Sequence, residues 1–173
     1  MLGPENFSVV ETLRDGREIE IRAQHPQDRE DLEAAIVRMS DESLYRRFFA
    51  ARRHFSEKEA EYFLNIDFVN HVALVAVAHE NGKPVIIGAA RYVVVQPGQA
   101  EVAFGVVDQY QGQGLGVALL RELVTVARQA GISELIADVL GSTLAMLRVF
   151  EKSGLQMITR REGSVVHVTL TFA

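Results

Sequence analysis

Residues 111–116 read QGQGLG and lie between an apolar run, AEVAFGVV (100–107), and a long helix-like stretch that follows. A helix start presents N–H groups without carbonyl partners and carries a partial positive charge. Glycines let an anion approach such groups closely. The residue types therefore predict a cradle for an anion, above all a pyrophosphate. Two familiar versions of such a cradle fail. A dinucleotide fingerprint, G-x-G-x-x-G, needs a glycine where Val117 stands, and a P-loop needs a Gly-Lys-Ser/Thr ending that is absent. What is left is Gln111-x-x-Gly114-x-Gly116. A second candidate lies just upstream. Strand alternation in 100–107 puts Glu101, Ala103 and Gly105 on one face. A carboxylate beside two very small residues leaves room for a substrate or a water. Its mid-strand position predicts partial burial, a setting that suits a general base.

The elements that must hold these residues are legible in the pattern. SVVETLRDGREIEIRA (8–23) reads as two short strands around an Asp15-Gly16 turn. A helix follows from Pro26, with Leu32, Ala35, Ile36 and Met39 at helical spacing. Residues 41–50 and 56–65 read as two more helices, the second opening on the capping-box pair Ser56 and Glu59. HVALVAVAHE and PVIIGAARYVVV form a hairpin around Asn81-Gly82, and Gln96-Pro97-Gly98 turns the chain into 100–107. The spacing predicts a helix over 114–130 ended by Gly131, a strand over 134–140, a helix over 143–153 ended by Gly154, and a final strand pair around Glu162-Gly163. The order is ββααα-βββ-α-β-α-ββ. That is an α/β (α+β) domain with a mostly antiparallel central sheet flanked by helices. One β-α-β crossover predicts a parallel pair of strands.

The 173 residues suit one domain, 1–173, large enough to bury a core. With no cysteine, the chain has no disulfide, no thiolate zinc site and no cysteine nucleophile. The five histidines lack ligand spacing, so no metal is expected. A net charge of −5 argues against nucleic acid as a partner, including for the arginine- and aromatic-rich stretch YRRFFAARRHF (45–55). Its aromatics read as core, and Arg47 as a weak candidate for meeting an acidic patch on a protein target. MLGPENFSVVETL has neither a basic nor a long apolar segment, and VALVAVA (72–78) falls far short of the ~20 residues a spanning helix needs. A cytoplasmic protein without a membrane partner is the expectation. No G-x-S-x-G elbow points to a serine hydrolase.

The motif Gln111-x-x-Gly114-x-Gly116, preceded by a strand and followed by a helix, resembles the acyl-CoA pyrophosphate loop of the GNAT N-acetyltransferases. RDGREIEIRAQHPQDREDL, SDESLYRRFF, NIDFVNHVALVAV and IIGAARYVVV extend the likeness to the acetyltransferase domain of bacterial protein lysine acetyltransferases of the Pat type. VLGSTLAMLRVFEKSGL resembles that family's second CoA-contacting helix. The resemblance covers residues ~13–160. It implies a GNAT fold, acetyl-CoA as acyl donor and a lysine of an acyl-CoA synthetase as acceptor. It also implies a CoA site at Val106, Val107, Gln111, Gly112, Gln113, Gly114, Leu115, Gly116, Val117, Thr143 and Met146, with Glu101 as the general base and backbone N–H groups at Val106 and Val107 meeting the oxyanion.

Acetyl transfer to an amine sets demands that these residues can be measured against. A free lysine of pKa ~10.4 is neutral in only about one molecule in ~2,500 at pH 7, a handicap of roughly 4.6 kcal/mol. The base must recover that. The superfamily often supplies a tyrosine to protonate the leaving thiolate; Phe150 stands there. A thiol of pKa ~8.5 is a tolerable leaving group without help. Thr143 replaces the usual asparagine at the pantetheine arm but keeps one donor and one acceptor. Two other readings stay open at this level: transfer to a small amine, and a catalytically weak CoA-binding sensor, for which Phe150 and Thr143 speak.

Overall fold

The computed structural model describes residues 3–38, 66–140 and 144–172. The helices expected over 41–50 and 56–65, together with Met39, Arg47 and Thr143, lie outside the described residues.

Eight strands form one sheet: β1 (Ser8–Thr12), β2 (Glu18–Ala23), β3 (His71–Glu80), β4 (Lys83–Gln96), β5 (Gln99–Val106), β6 (Glu134–Leu140), β7 (Gln156–Glu162) and β8 (Val165–Thr171). Three α-helices accompany it among the described residues: α1 (Arg29–Val37), α2 (Leu115–Gln129) and α3 (Leu144–Lys152). The strand order is β1-β2-β3-β4-β5-β6-β8-β7. Every neighbouring pair is antiparallel except β5 and β6, the parallel pair expected of the crossover through α2.

The expected turns make the hairpins. Asn81 and Gly82 take φ of 53° and 77°, the left-handed region that a two-residue hairpin turn uses. At the start of α1 the carboxylate of Asp28 accepts the His25 N–H at 2.7 Å, and a single 3-10 turn over Pro26–Asp28 leads into the helix. Arg22 holds the same carboxylate from β2 at 2.8 and 2.9 Å. These contacts keep the Asp28 carboxyl below its usual range even though burial opposes that.

The core sits at the centre of the sheet. Residues 71–78 of β3 are buried at every position, so both faces are covered there. The edge strands β1 and β7 are largely exposed. Helix α1 packs on β4, α2 on β4 and β5, and α3 on α2. Gly88 makes the α2 packing close. A Cβ there would lie 3.0 Å from Leu119 Cδ1 and 3.2 Å from the Gly105 carbonyl oxygen.

Candidate active site

The loop between β5 and α2 is shaped by its glycines. After β5 the chain makes one 3-10 turn over Asp108–Tyr110. Gly112 and Gly114 then adopt φ of 78° and 87°, where a Cβ is strained. Gly114 is the N-cap of α2, and no side chain caps it. The N–H groups of Leu115, Gly116 and Val117 therefore begin the helix without a carbonyl one turn behind them. A Cβ built at Gly112 meets nothing within 4 Å, so the space beside the loop is open. Donors and room together fit a pyrophosphate.

The structure separates the roles of the other motif residues. The missing side chain of Gly116 serves packing: a Cβ there would come within 3.1 Å of Val149 Cγ2 on α3. Gln113 bonds the β1–β2 turn, its Oε1 accepting the Asp15 N–H at 3.1 Å. Gln111 folds back, its Nε2 making long hydrogen bonds to the Val106 carbonyl at 3.5 Å and to Asp108 Oδ1 at 3.4 Å. The Leu115 side chain is buried in the core, as is Met146 on α3.

The loop is braced from three sides. From the β1–β2 turn, the Arg14 N–H donates to the Gln113 carbonyl at 3.1 Å, and an Arg14 guanidinium N–H donates to the Gly112 carbonyl at 3.2 Å. From the end of α1, the Asp108 N–H donates to the Arg38 carbonyl at 3.3 Å, and the Arg38 side chain bonds Gln109. From the end of β3, Glu80 accepts the Tyr110 hydroxyl at 2.6 Å while Arg38 holds it at 2.9 and 3.2 Å. Arg38 first, then the tyrosine hydroxyl, keep the Glu80 carboxyl below its usual range. The Arg17 guanidinium lies over the Tyr110 ring at 4.5 Å. A loop tied at so many points needs little reordering when an anion arrives.

Beside the loop the sheet opens. β5 and β6 pair only at Gln99↔Glu134, Ala100↔Leu135 and Glu101↔Ile136. Glu101, 7% exposed, sits at the last pair before the strands part. The Val107 N–H donates to the Ile87 carbonyl of β4 at 2.9 Å, so it is committed to the sheet. Because backbone groups alternate sides along an antiparallel strand, the Val106 N–H faces away from β4, toward the parting strands. Of the two expected oxyanion donors, Val106 has the suitable direction and Val107 does not.

Glu101 has charged and polar company on its own sheet face. The register puts His71, Val93, Glu101 and Ile136 in one row across four strands. Arg91 is one step along, opposite Ala73 and Ala103 and diagonal to Glu101. Arg91 is fully buried; its Nη1 lies 3.0 Å from His71 Nε2, and its Nη2 donates to Gln24 Oε1 at 3.2 Å. A guanidinium has only donors, so His71 accepts through Nε2 and carries its proton on Nδ1. Burial, and after it the Arg91 charge, push the His71 imidazole down to about 4 against the pull of Asp67. On the opposite face, Phe150 is fully buried and meets Phe104 of β5 edge to face at 5.4 Å. The position that often holds a tyrosine is here part of the core.

A sequence model of the "Acetyltransferase (GNAT) family" matches residues 39–155. The chain belongs to the GNAT acetyltransferase family. An acetyltransferase of Pseudomonas aeruginosa is 35% identical over 127 residues, which is 73% of this chain and 68% of that protein. The acetyltransferase Pat of Mycolicibacterium smegmatis is 32% identical over 156 residues, 89% of this chain; the chain spans about half, 46%, of that relative. The solved GNAT domain of S. lividans PAT superposes with a TM-score of 0.83 at 34% identity, over 95% of this chain and 97% of that domain. The fold is thus a GNAT fold and the chain an acyltransferase, as the motif and the element order led one to expect.

Within this GNAT domain, Glu101 sits at the last β5–β6 pair, and Val106 ends β5 a short loop before the start of α2. Sequence reasoning missed the Arg91–His71–Gln24 cluster and the part played by the β1–β2 turn. Arg14 and Gly112 are 98 positions apart, and no local pattern links them.

Proposed function

We propose that the chain transfers an acetyl group from acetyl-CoA to a lysine ε-amine of a protein, with an acyl-CoA synthetase as the target class. The observation that carries the reading is the parting of β5 from β6 at Glu101, beside an uncapped helix start with open space over Gly112. The likeness to Pat proteins favours a protein lysine over a small amine. Acetyl-CoA would supply an activated thioester, its pyrophosphate held by the N–H groups that open α2.

The chain's own residues would do the rest. Glu101 takes the proton from the acceptor ammonium, directly or through a water, and frees the nitrogen lone pair for attack on the thioester. The Val106 N–H faces the developing oxyanion; a preorganised backbone donor of this kind is worth a few kcal/mol. Thiolate departure proceeds without a tyrosine at position 150.

Incubation with acetyl-CoA, an acyl-CoA synthetase and a panel of free amines tests the reading, with Glu101→Gln as control. Acetylated synthetase lysine is the expected product. Glu101→Gln is expected to lower kcat by about 10²–10⁴ with a folded protein, the usual contribution of a positioned base. Turnover of small amines alone would replace the acceptor, CoA binding without transfer to any amine would replace the enzyme by a sensor, and full activity of Glu101→Gln would remove the base.

A further inference from the structure

The β1–β2 turn brings a cation to the glycine loop that the loop motif itself lacks. Arg17, Arg22, Arg38 and Arg121 each meet a carboxylate: Asp15 at 2.7 Å, Asp28 at 2.8 Å, Glu80 at 2.9 Å and Glu11 at 2.8 Å. Arg14 meets none among the described residues. Among the described residues its guanidinium makes one hydrogen bond, to the Gly112 carbonyl, which leaves its other N–H groups uncommitted there. Asp15, the nearest acid in sequence, is taken by Arg17 through its backbone and its side chain. The Arg14 Nε lies 3.9 Å from where a Cβ of Gly114 would stand, so the charge sits at the cap of α2. Its backbone is fixed there by the N–H bond to the Gln113 carbonyl, and the Asp15 N–H bond to Gln113 Oε1 fixes the next residue. Arg14 also lies outside residues 39–155, the part of the chain that the family model matches.

We infer that Arg14 is a ligand of the CoA pyrophosphate, adding a charged, fork-shaped donor from the N-terminal hairpin to the neutral N–H groups of α2. The inference rests on the acetyl-CoA reading above. Three features carry it: a cation without a counter-ion among the described residues, a backbone tied to the loop, and a position beside the open space over it. A guanidinium suits phosphate oxygens because two parallel N–H groups match two oxygens, and such charge-assisted bonds are about twice as strong as neutral ones. The bond to Gly112 holds the fork in place before the ligand arrives, so little side-chain entropy is lost on binding.

Calorimetric titration of CoA and of dephospho-CoA into wild type, Arg14→Gln and Arg14→Lys, each at low and high ionic strength, tests it. Arg14→Gln is expected to weaken both ligands by the same factor, about tenfold or more, for the loss of a charged hydrogen bond. It is also expected to flatten the dependence on ionic strength, since a partly exposed charge contact is screened by salt. Arg14→Lys is expected to recover much of the affinity and the salt dependence. Loss confined to CoA would overturn the inference by moving Arg14 to the 3′-phosphate. So would an equal loss in both variants with an unchanged salt dependence, since that marks a brace of the loop and no more. Wild-type affinity in Arg14→Gln would overturn it while leaving the acetyl-CoA reading intact. Absence of CoA binding by wild type would overturn both.

Discussion

Acidification from pH 6.5 toward 4 is expected to cost the fold about 3 kcal/mol through His71 alone. The imidazole is buried and faces the Arg91 guanidinium, which lowers it from 6.5 to about 4. In the unfolded chain the same side chain takes up its proton near pH 6.5. Between those two values the unfolded state binds more protons than the folded one, so stability falls as pH falls. The gap, at about 1.4 kcal/mol for each pH unit, gives the figure of about 3 kcal/mol. The contribution is fully present above about pH 6.5 and is lost progressively below it. Urea unfolding at several pH values between 7 and 4.5, on wild type and on His71→Gln, isolates this effect. The glutamine offers Arg91 an oxygen acceptor and does not titrate. The depressed carboxyls of Asp28 and Glu80 also lose stabilisation on acidification, in both proteins alike; Asp67 does so too, held down mainly by backbone N–H groups that both proteins keep, and only its smallest cause, the His71 charge, is missing from the variant. His167 has the opposite sign. Asp138 first and then Glu162 raise it, so its contribution is full below about pH 6.5 and fades as pH rises through its folded value. That too cancels between the two proteins. Wild type is expected to lose stability more steeply than the variant over this window. Parallel curves would refute the reasoning, because they would mean that His71 charges without penalty beside Arg91.

Gly114→Ala is expected to cost about 1–2 kcal/mol of stability, since φ of 87° is strained for an L side chain, and to weaken CoA binding by displacing the start of α2; melting and calorimetric titration check both. Phe150→Ala is expected to destabilise the fold by about 3–5 kcal/mol, because the ring is fully buried against Phe104; urea unfolding measures it.

Helix α2 was legible because its apolar residues repeat at helical spacing between two glycines, and it runs over Leu115–Gln129 where 114–130 was expected. β6 over Glu134–Leu140 and the Asn81-Gly82 hairpin were equally plain, since each is announced by neighbours in sequence. The placement of β8 between β6 and β7 was not, because chain order does not say on which side a returning strand will pair. The glycine motif located the loop but not the work of each glycine. Gly112 and Gly114 serve backbone conformation, and Gly116 serves contact with Val149, which lies in another helix. Val106 and Val107 read alike as apolar strand residues. Only the hydrogen bond from Val107 to Ile87 tells them apart. Glu101 was singled out as a candidate from alternation beside small residues, while its diagonal neighbour Arg91 was hidden in an apolar run whose pairing partner had to be known first.

The parting of β5 and β6 also divides the sheet mechanically. β6, β8 and β7 are laced to one another along seven register pairs at each seam, yet they join the other five strands at only three. Backbone hydrogen bonding thus makes two rafts, one of five strands and one of three, welded at residues 99–101. Beyond the weld no register pair joins β5 to β6, while α2 grips β4 and β5 and α3 lies on α2. Gly88 and Gly116 let those helices close down on the five-strand raft and on each other, so the tight packing lies on one side of the weld.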